Sequence, residues 1–164
     1  KFRGGGNDTT AYRYFQQYAQ EINMLLEEEP VLEISAVSAL SNDNLIVTGV
    51  TVSDKPGHTR FTIALVENEV AFQGINRIQN HTMVVRRLEN IEPDETGHFR
   101  HEFDLSAIEA QNEKWLTTLE ANFAPFTFRE KKHLMNADNL QIVIFAQDTL
   151  SMTIHNAYVG DVVR

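Results

Sequence analysis

Gly97-His98-Phe99-Arg100-His101-Glu102-Phe103-Asp104-Leu105 alternates without a break, with Phe99, His101, Phe103 and Leu105 on one side and His98, Arg100, Glu102 and Asp104 on the other. A period of two marks a β-strand with one buried and one wet face. Upstream the same period recurs in short runs rich in β-branched residues and separated by turn formers. Residues 31–39 are the first expected strand and Asn42-Asp43-Asn44 its turn; residues 45–53 follow, with Ile46, Thr48, Val50 and Val52 on one face. Asp54-Lys55-Pro56-Gly57 is a turn, because proline presets φ and glycine accepts positive φ. Residues 59–67 then alternate with Phe61, Ile63 and Leu65 facing one way, and residues 79–88 read as a further strand. Downstream, residues 140–147 and 152–163 pair through a hairpin connection at 148–151.

Short strands in this order, without interleaved helices, predict an immunoglobulin-like antiparallel β-sandwich of about seven strands. One amphipathic helix precedes it: over residues 9–28, Ala11, Phe15, Tyr18, Ile22 and Leu25 recur at spacings of three and four. Asp8 or Thr9 is the expected cap, and Pro30 restricts Glu29 and ends the helix. Glu27, Glu28 and Glu29 at the negative end of the helix dipole predict fraying. The expected division is a helical segment over residues 1–30 and the sandwich over 31–164. Residues 106–123 fit either a helix or a structured loop; Ser106-Ala107-Ile108-Glu109 matches a capping box, and Ile108, Trp115 and Leu119 share a helical face.

A chain of 164 residues can bury roughly 70% of its unfolded surface. It contains no cysteine, which excludes disulfides, thiolate nucleophiles and thiolate metal sites from this stretch. The compartment stays open on that count, since disulfide-free domains are stable in periplasm and cytosol alike. A net charge of −9 argues against nucleic-acid binding. The basic cluster Arg129, Lys131, Lys132 and His133, interrupted by Glu130, reads as a solvated loop. No apolar run is long enough to span a membrane, and no signal peptide stands at Lys1. The opening Lys1-Phe2-Arg3-Gly4-Gly5-Gly6 reads as the interior of a longer protein.

Six histidines raise a metal hypothesis. His98 and His101 are three apart, on opposite faces of one strand, and His101 reads as a core or edge histidine with one satisfied hydrogen bond. His58 and His133 read as surface residues. A metal-dependent hydrolase needs at least three of His81, His98, His101 and His155 around one ion. No nucleophile elbow, Walker loop or dinucleotide fingerprint is present. Gly4-Gly5-Gly6 before a helix lacks the lysine of a phosphate loop. Asn7-Asp8-Thr9 and Asn80-His81-Thr82 match the glycosylation sequon. A carbohydrate- or peptide-binding module needs an aromatic platform, for which Trp115, Phe126 and Phe128 are the concentrated supply; their simpler reading is a plug over one end of the sandwich.

Three stretches together resemble a known pattern: Ile63-Ala64-Leu65-Val66-Glu67, Asn80-His81-Thr82-Met83-Val84-Val85-Arg86, and Leu140-Gln141-Ile142-Val143-Ile144-Phe145-Ala146-Gln147-Asp148, followed by Ala157-Tyr158-Val159. They resemble the C-terminal β-sandwich of bacterial thioredoxin-related secreted or outer-membrane proteins of the Bacteroidetes type. The resemblance runs from about Val31 to Val163 and departs between Ile108 and Asp138. It implies that residues 1–29 are the closing strand and last helix of a thioredoxin-like domain whose thiol-bearing part lies upstream. It also singles out His81 and Arg86. With regular alternation, His81 shares a face with Met83 and Val85, and Arg86 with Thr82 and Val84. Arg86 is then expected to pair with a carboxylate such as Glu67 on a neighbouring strand and hold the sheet in register.

The resulting expectation is a non-catalytic accessory or interaction module of a secreted or cell-envelope protein, with no cofactor and no metal. Its expected partner is a neighbouring thioredoxin-like domain or another envelope protein.

Overall fold

Pro30 restricts the residue before it and parts the chain into two compact units, Lys1–Pro30 and Val31–Arg164. The structure is a computed structural model and describes residues 8–27, 29–53, 58–73 and 77–164. The first unit holds helix α1, Asp8–Glu27, whose exposed stripe of Phe15, Tyr18, Ile22 and Leu25 follows the expected spacing. The helix opens at Asp8, and the side chains of Asp8 and Thr9, its expected caps, lie outside the described residues. The glycine run, the first sequon's Asn7 and the turn at 54–57 lie outside the described residues.

The second unit is mainly β. Its strands are β1 (Leu32–Ser41), β2 (Asn44–Ser53), β3 (Thr59–Glu67), β4 (Val70–Ala71), β5 (Asn80–His81), β6 (Val84–Ile91), β7 (His98–Asp104), β8 (Leu140–Asp148) and β9 (Ile154–Val163), with helix α2 (Leu105–Asn122) between β7 and β8. Seven strands form one sheet in the order β6-β3-β8-β9-β1-β2-β7, while β4 and β5 pair apart from it. All neighbours in the sheet are antiparallel except β1 and β9, which meet in parallel at Ser38↔Val162 and Ala39↔Val163. The sequence, which predicts antiparallel pairing throughout, misses that contact.

The sheet curls so that its two halves face each other as a sandwich. Leu45 and Val47 of β2, Ile63 and Leu65 of β3, Phe99 and Phe103 of β7, and Ile142 and Ile144 of β8 fill the interior. On β2 the buried set is therefore Leu45 and Val47, and the row Ile46, Thr48, Val50 and Val52 points outward. Gly49 is required by this packing, since a Cβ there would stand 2.4 Å from the Phe99 ring and 2.5 Å from the Ser35 carbonyl oxygen. The ladder between β1 and β9 is short, and side chains extend it: Tyr158 donates to Ala36 O at 2.6 Å, and Asn156 to Leu32 O at 2.8 Å.

Residues 105–122 resolve as a helix. Its cap is Asp104, which accepts from Ala107 N at 2.8 Å, and not Ser106. Glu109, the supposed far member of the capping box, reaches instead to Met135 N at 2.7 Å. The first turn of α2 buries Leu105 and Ile108 in the core. That turn, with Met135 and Ala137 from the returning chain, roofs one end of the sandwich.

Candidate functional site

Glu67 ends β3 on its inward face, and Arg86 lies on β6 where the pairing slips. The register passes from Leu65↔Arg87 to Val66↔Val85, leaving Arg86 as the extra residue of a β-bulge. A bulge re-aims the side chain of its unpaired residue, and here it turns the guanidinium onto Glu67. Arg86 Nε donates to Glu67 Oε2 at 2.7 Å, and the side chains are only 7% and 6% exposed. The remaining donors reach beyond the sheet: Nη1 to the Lys132 carbonyl and Nη2 to the Leu134 carbonyl at 3.2 Å. Glu67 Oε1 accepts from Asn136 N at 2.8 Å. The pair thus does more than keep register. It satisfies the backbone of residues 132–136, which neither helix nor sheet would, and so holds the roof in place.

His81 does not share a strand with Arg86. The expected strand over 79–88 breaks at Thr82 and Met83, where Met83 adopts φ 55° and donates its N–H to Asn68 Oδ1 at 2.9 Å. The alternation that placed His81 with Met83 and Val85 therefore fails. His81 lies in β5, its Nε2 2.9 Å from Phe72 O and its ring tilted against Phe72. Arg129 stands over the other aromatic partner, 5.9 Å from the Phe72 ring centroid, and donates to Gln73 O at 3.2 Å.

The basic cluster is not a freely solvated loop. Lys131 bridges Glu120 at 2.7 Å and Thr117 at 3.0 Å, and Glu120 accepts from Phe128 N at 2.8 Å. Those two hydrogen bonds, first from Lys131 and then from the Phe128 amide, hold the Glu120 carboxyl below its ordinary range. Lys132 pairs with Glu130. His133 is half-buried, and its Nδ1 has no hydrogen-bond partner among the described residues. The aromatic plug is also displaced by the structure: Trp115 is 61% exposed and Phe126 49%, because the first turn of α2 already fills the end of the sandwich. Phe126 and Phe128 pack edge to face at 4.9 Å.

The histidines do not gather. His98 contacts Thr96 Oγ1 at 2.9 Å on the outer face of β7, whereas His101 points inward, its Nε2 3.2 Å from Glu89 Oε2. Glu89 is thus the polar partner His101 meets, at ion-pair distance from Nε2. Burial lowers its proton affinity; Glu89 opposes that and Arg87 adds to it. Among the described residues no three His, Asp or Glu side chains stand where they could hold a metal ion, and no described helix is long and apolar enough to cross a membrane.

The outer face of the sheet carries exposed apolar side chains on several strands, although Thr62, Ala64 and Val66 of β3 within it are buried. Leu88, Ala64, Val143 and Val159 stand in one row across β6, β3, β8 and β9 by register. Val37 and Ala39 on β1 and Ile46 on β2 extend the apolar surface on the far side. Val37 is 70% exposed, Leu88 55% and Val159 54%. The strand alternation holds the signal for this face, since both residues of many successive pairs are apolar.

The fold is similar to a domain of the outer membrane lipoprotein Omp28 from Porphyromonas gingivalis, with a TM-score of 0.41, 12% sequence identity, and coverage of 83% of this chain and 91% of that one. No protein-family model matches the chain, and no curated protein matches it in sequence.

Proposed function

We propose that the chain is a non-catalytic interaction module of a secreted or cell-envelope protein, and that the outer face of its sheet is the docking surface. The supporting observation is the exposed apolar set Leu88, Val159, Val37 and Ala39 on that face, with half-buried Val143 beside Val159 in register. An antiparallel sheet with one face on a core ordinarily presents polar residues on the other. A contiguous apolar patch on a soluble surface marks an interaction site more often than chance decoration. The partner in this reading is a neighbouring thioredoxin-like domain or another envelope protein, and that part rests on the sequence resemblance.

The test is site-specific photocrosslinking in cells from positions 37 and 159 of the full-length protein, with position 113 on α2 as the control. The reading expects one adduct from both sheet positions, none from the control, and loss of the adduct when Leu88→Lys is added. Equal labelling from all three positions overturns the docking surface. Recovery of the protein in the cytosolic fraction overturns the envelope assignment separately.

A further inference from the structure

Strands β6 and β7 are the two ends of the seven-strand order, and no backbone ladder joins them. Side chains span the gap. From β7, His101 faces Glu89 of β6 at 3.2 Å. The other oxygen of Glu89 accepts from Arg87 Nε, and Arg87 Nη1 donates to Gln111 Oε1 of α2 at 2.8 Å. The His101 side chain is 16% exposed, packed edge to face on Phe103 at 4.5 Å and set beside Val47 of β2 in register. The charged residues flanking it on β7, Arg100 and Glu102, lie on the outer face and bind each other at 3.0 Å. One carboxylate therefore faces two groups able to carry positive charge, and Arg87 already holds it.

We propose that the chain Gln111–Arg87–Glu89–His101 is a pH-sensitive latch, which keeps the seam between β6 and β7 shut while His101 is neutral and loosens it when His101 gains a proton. An imidazolium at this position is a second cation on a carboxylate already engaged by Arg87. Glu89 offers it Oε2 while Arg87 keeps Oε1, but the imidazolium loses its hydration against Phe103 and Val47 and stands beside the Arg87 cation. The lost hydration and that repulsion outweigh the gain from Glu89 and weaken the contacts that close the seam. The sign follows from linkage: His101 binds its proton less readily in the folded chain than in the unfolded one, so the stability it permits is complete above about pH 6.5 and is lost as pH falls through the lower folded value. Loosening here uncovers Phe99, Phe103 and Ile91, which lie just inside the seam.

The experiment is thermal unfolding of the full chain between about pH 7.5 and about pH 5, a window in which histidines titrate. Wild type, His101→Gln and Arg87→Gln are compared. The latch expects the wild type to lose a few degrees more than His101→Gln across the window. It expects Arg87→Gln to gain stability with acid relative to the wild type, because Glu89 is then left to the imidazolium alone. Amides of β7 and of residues 87–91 should exchange faster in acid, after correction for intrinsic rates, in the wild type and not in His101→Gln. The other histidines cancel in these differences. Parallel profiles for wild type and His101→Gln overturn the latch, as does an Arg87→Gln profile that follows the wild type. Should His101→Gln not fold, His101→Phe supplies the same comparison with the packing on Phe103 retained.

Discussion

Ile142 and Val143 are chain neighbours of similar chemistry, yet Ile142 is wholly buried while Val143 lies on the outer face. The same division runs through the sheet. Inside, Ile63, Leu65, Ile142 and Ile144 meet Leu45, Val47 and Phe103 from the opposite half. Outside, Leu88, Val159 and Val37 are more than half exposed and Val143 is half-buried, while Thr62, Ala64 and Val66 of β3 on the same face are buried. Apolar content therefore does not distinguish the faces; closure does. The interior is closed by the curl of the sheet and by a roof of Leu105, Ile108, Met135 and Ala137, and the roof is held by Arg86 and Glu67.

The largest expected effect comes from undoing that roof. Arg86→Met leaves Glu67 buried without its cation and leaves the carbonyls of Lys132 and Leu134 without their donors. Removing one member of a buried pair costs about 3–5 kcal/mol, which for a domain of this size lowers the melting temperature by roughly 10 °C. Glu67→Leu should cost a similar amount, and the double variant much less than the sum, because neither then strands a buried charge. Urea unfolding of the three variants checks this. A loss below about 1 kcal/mol for Arg86→Met would mean that the roof stands without the pair, and that the inner face is closed by packing alone.

A direct contrast of the faces follows within one strand. Ile142→Ala should cost about 2–5 kcal/mol, combining lost burial with the cavity left between the sheet halves. Val143→Ala, one residue on, removes a half-buried side chain and should cost about 1 kcal/mol or less. Equal costs in urea unfolding would break the comparison, since they would require the outer face to be packed as tightly as the core.

The pattern is most legible in His98–Asp104, where buried Phe99 and Phe103 alternate with exposed neighbours. Thr59–Glu67 keeps the expected boundaries and the spacing of Phe61, Ile63 and Leu65, but Thr62, Ala64 and Val66 between them are buried as well. Residues 79–88 read as one strand because a break at Met83 and a bulge at Arg86 leave the local hydrophobic pattern intact; both exist only in relation to Asn68 and to the partner strand β3. The cap of α2 was misplaced because Asp104 also completes the β7 alternation, so two signals overlapped on one residue. The segment 123–136 offered no period at all. Its conformation is set by carboxylates and a guanidinium from distant positions, Glu67, Arg86, Glu109 and Glu120, which accept from or donate to its backbone. Nothing local to the segment encodes those bonds. The contact of His101 with Glu89 was hidden for the same reason, because it requires the two ends of the sheet to meet.

The smallest effect sharpens the comparison most. Val37→Thr and Val159→Thr keep the β-branched shape that a strand favours and replace one methyl by a hydroxyl that water can solvate. If the outer face is open in the free protein, each substitution should shift stability by no more than about 0.5 kcal/mol, while weakening the crosslinked association read from the other of the two positions. The two measurements separate what stabilises the fold from what recruits a partner. Were either substitution to cost well over about 1 kcal/mol in the absence of a partner, the face would already be covered in the free protein, and the apolar row would belong to the fold rather than to docking.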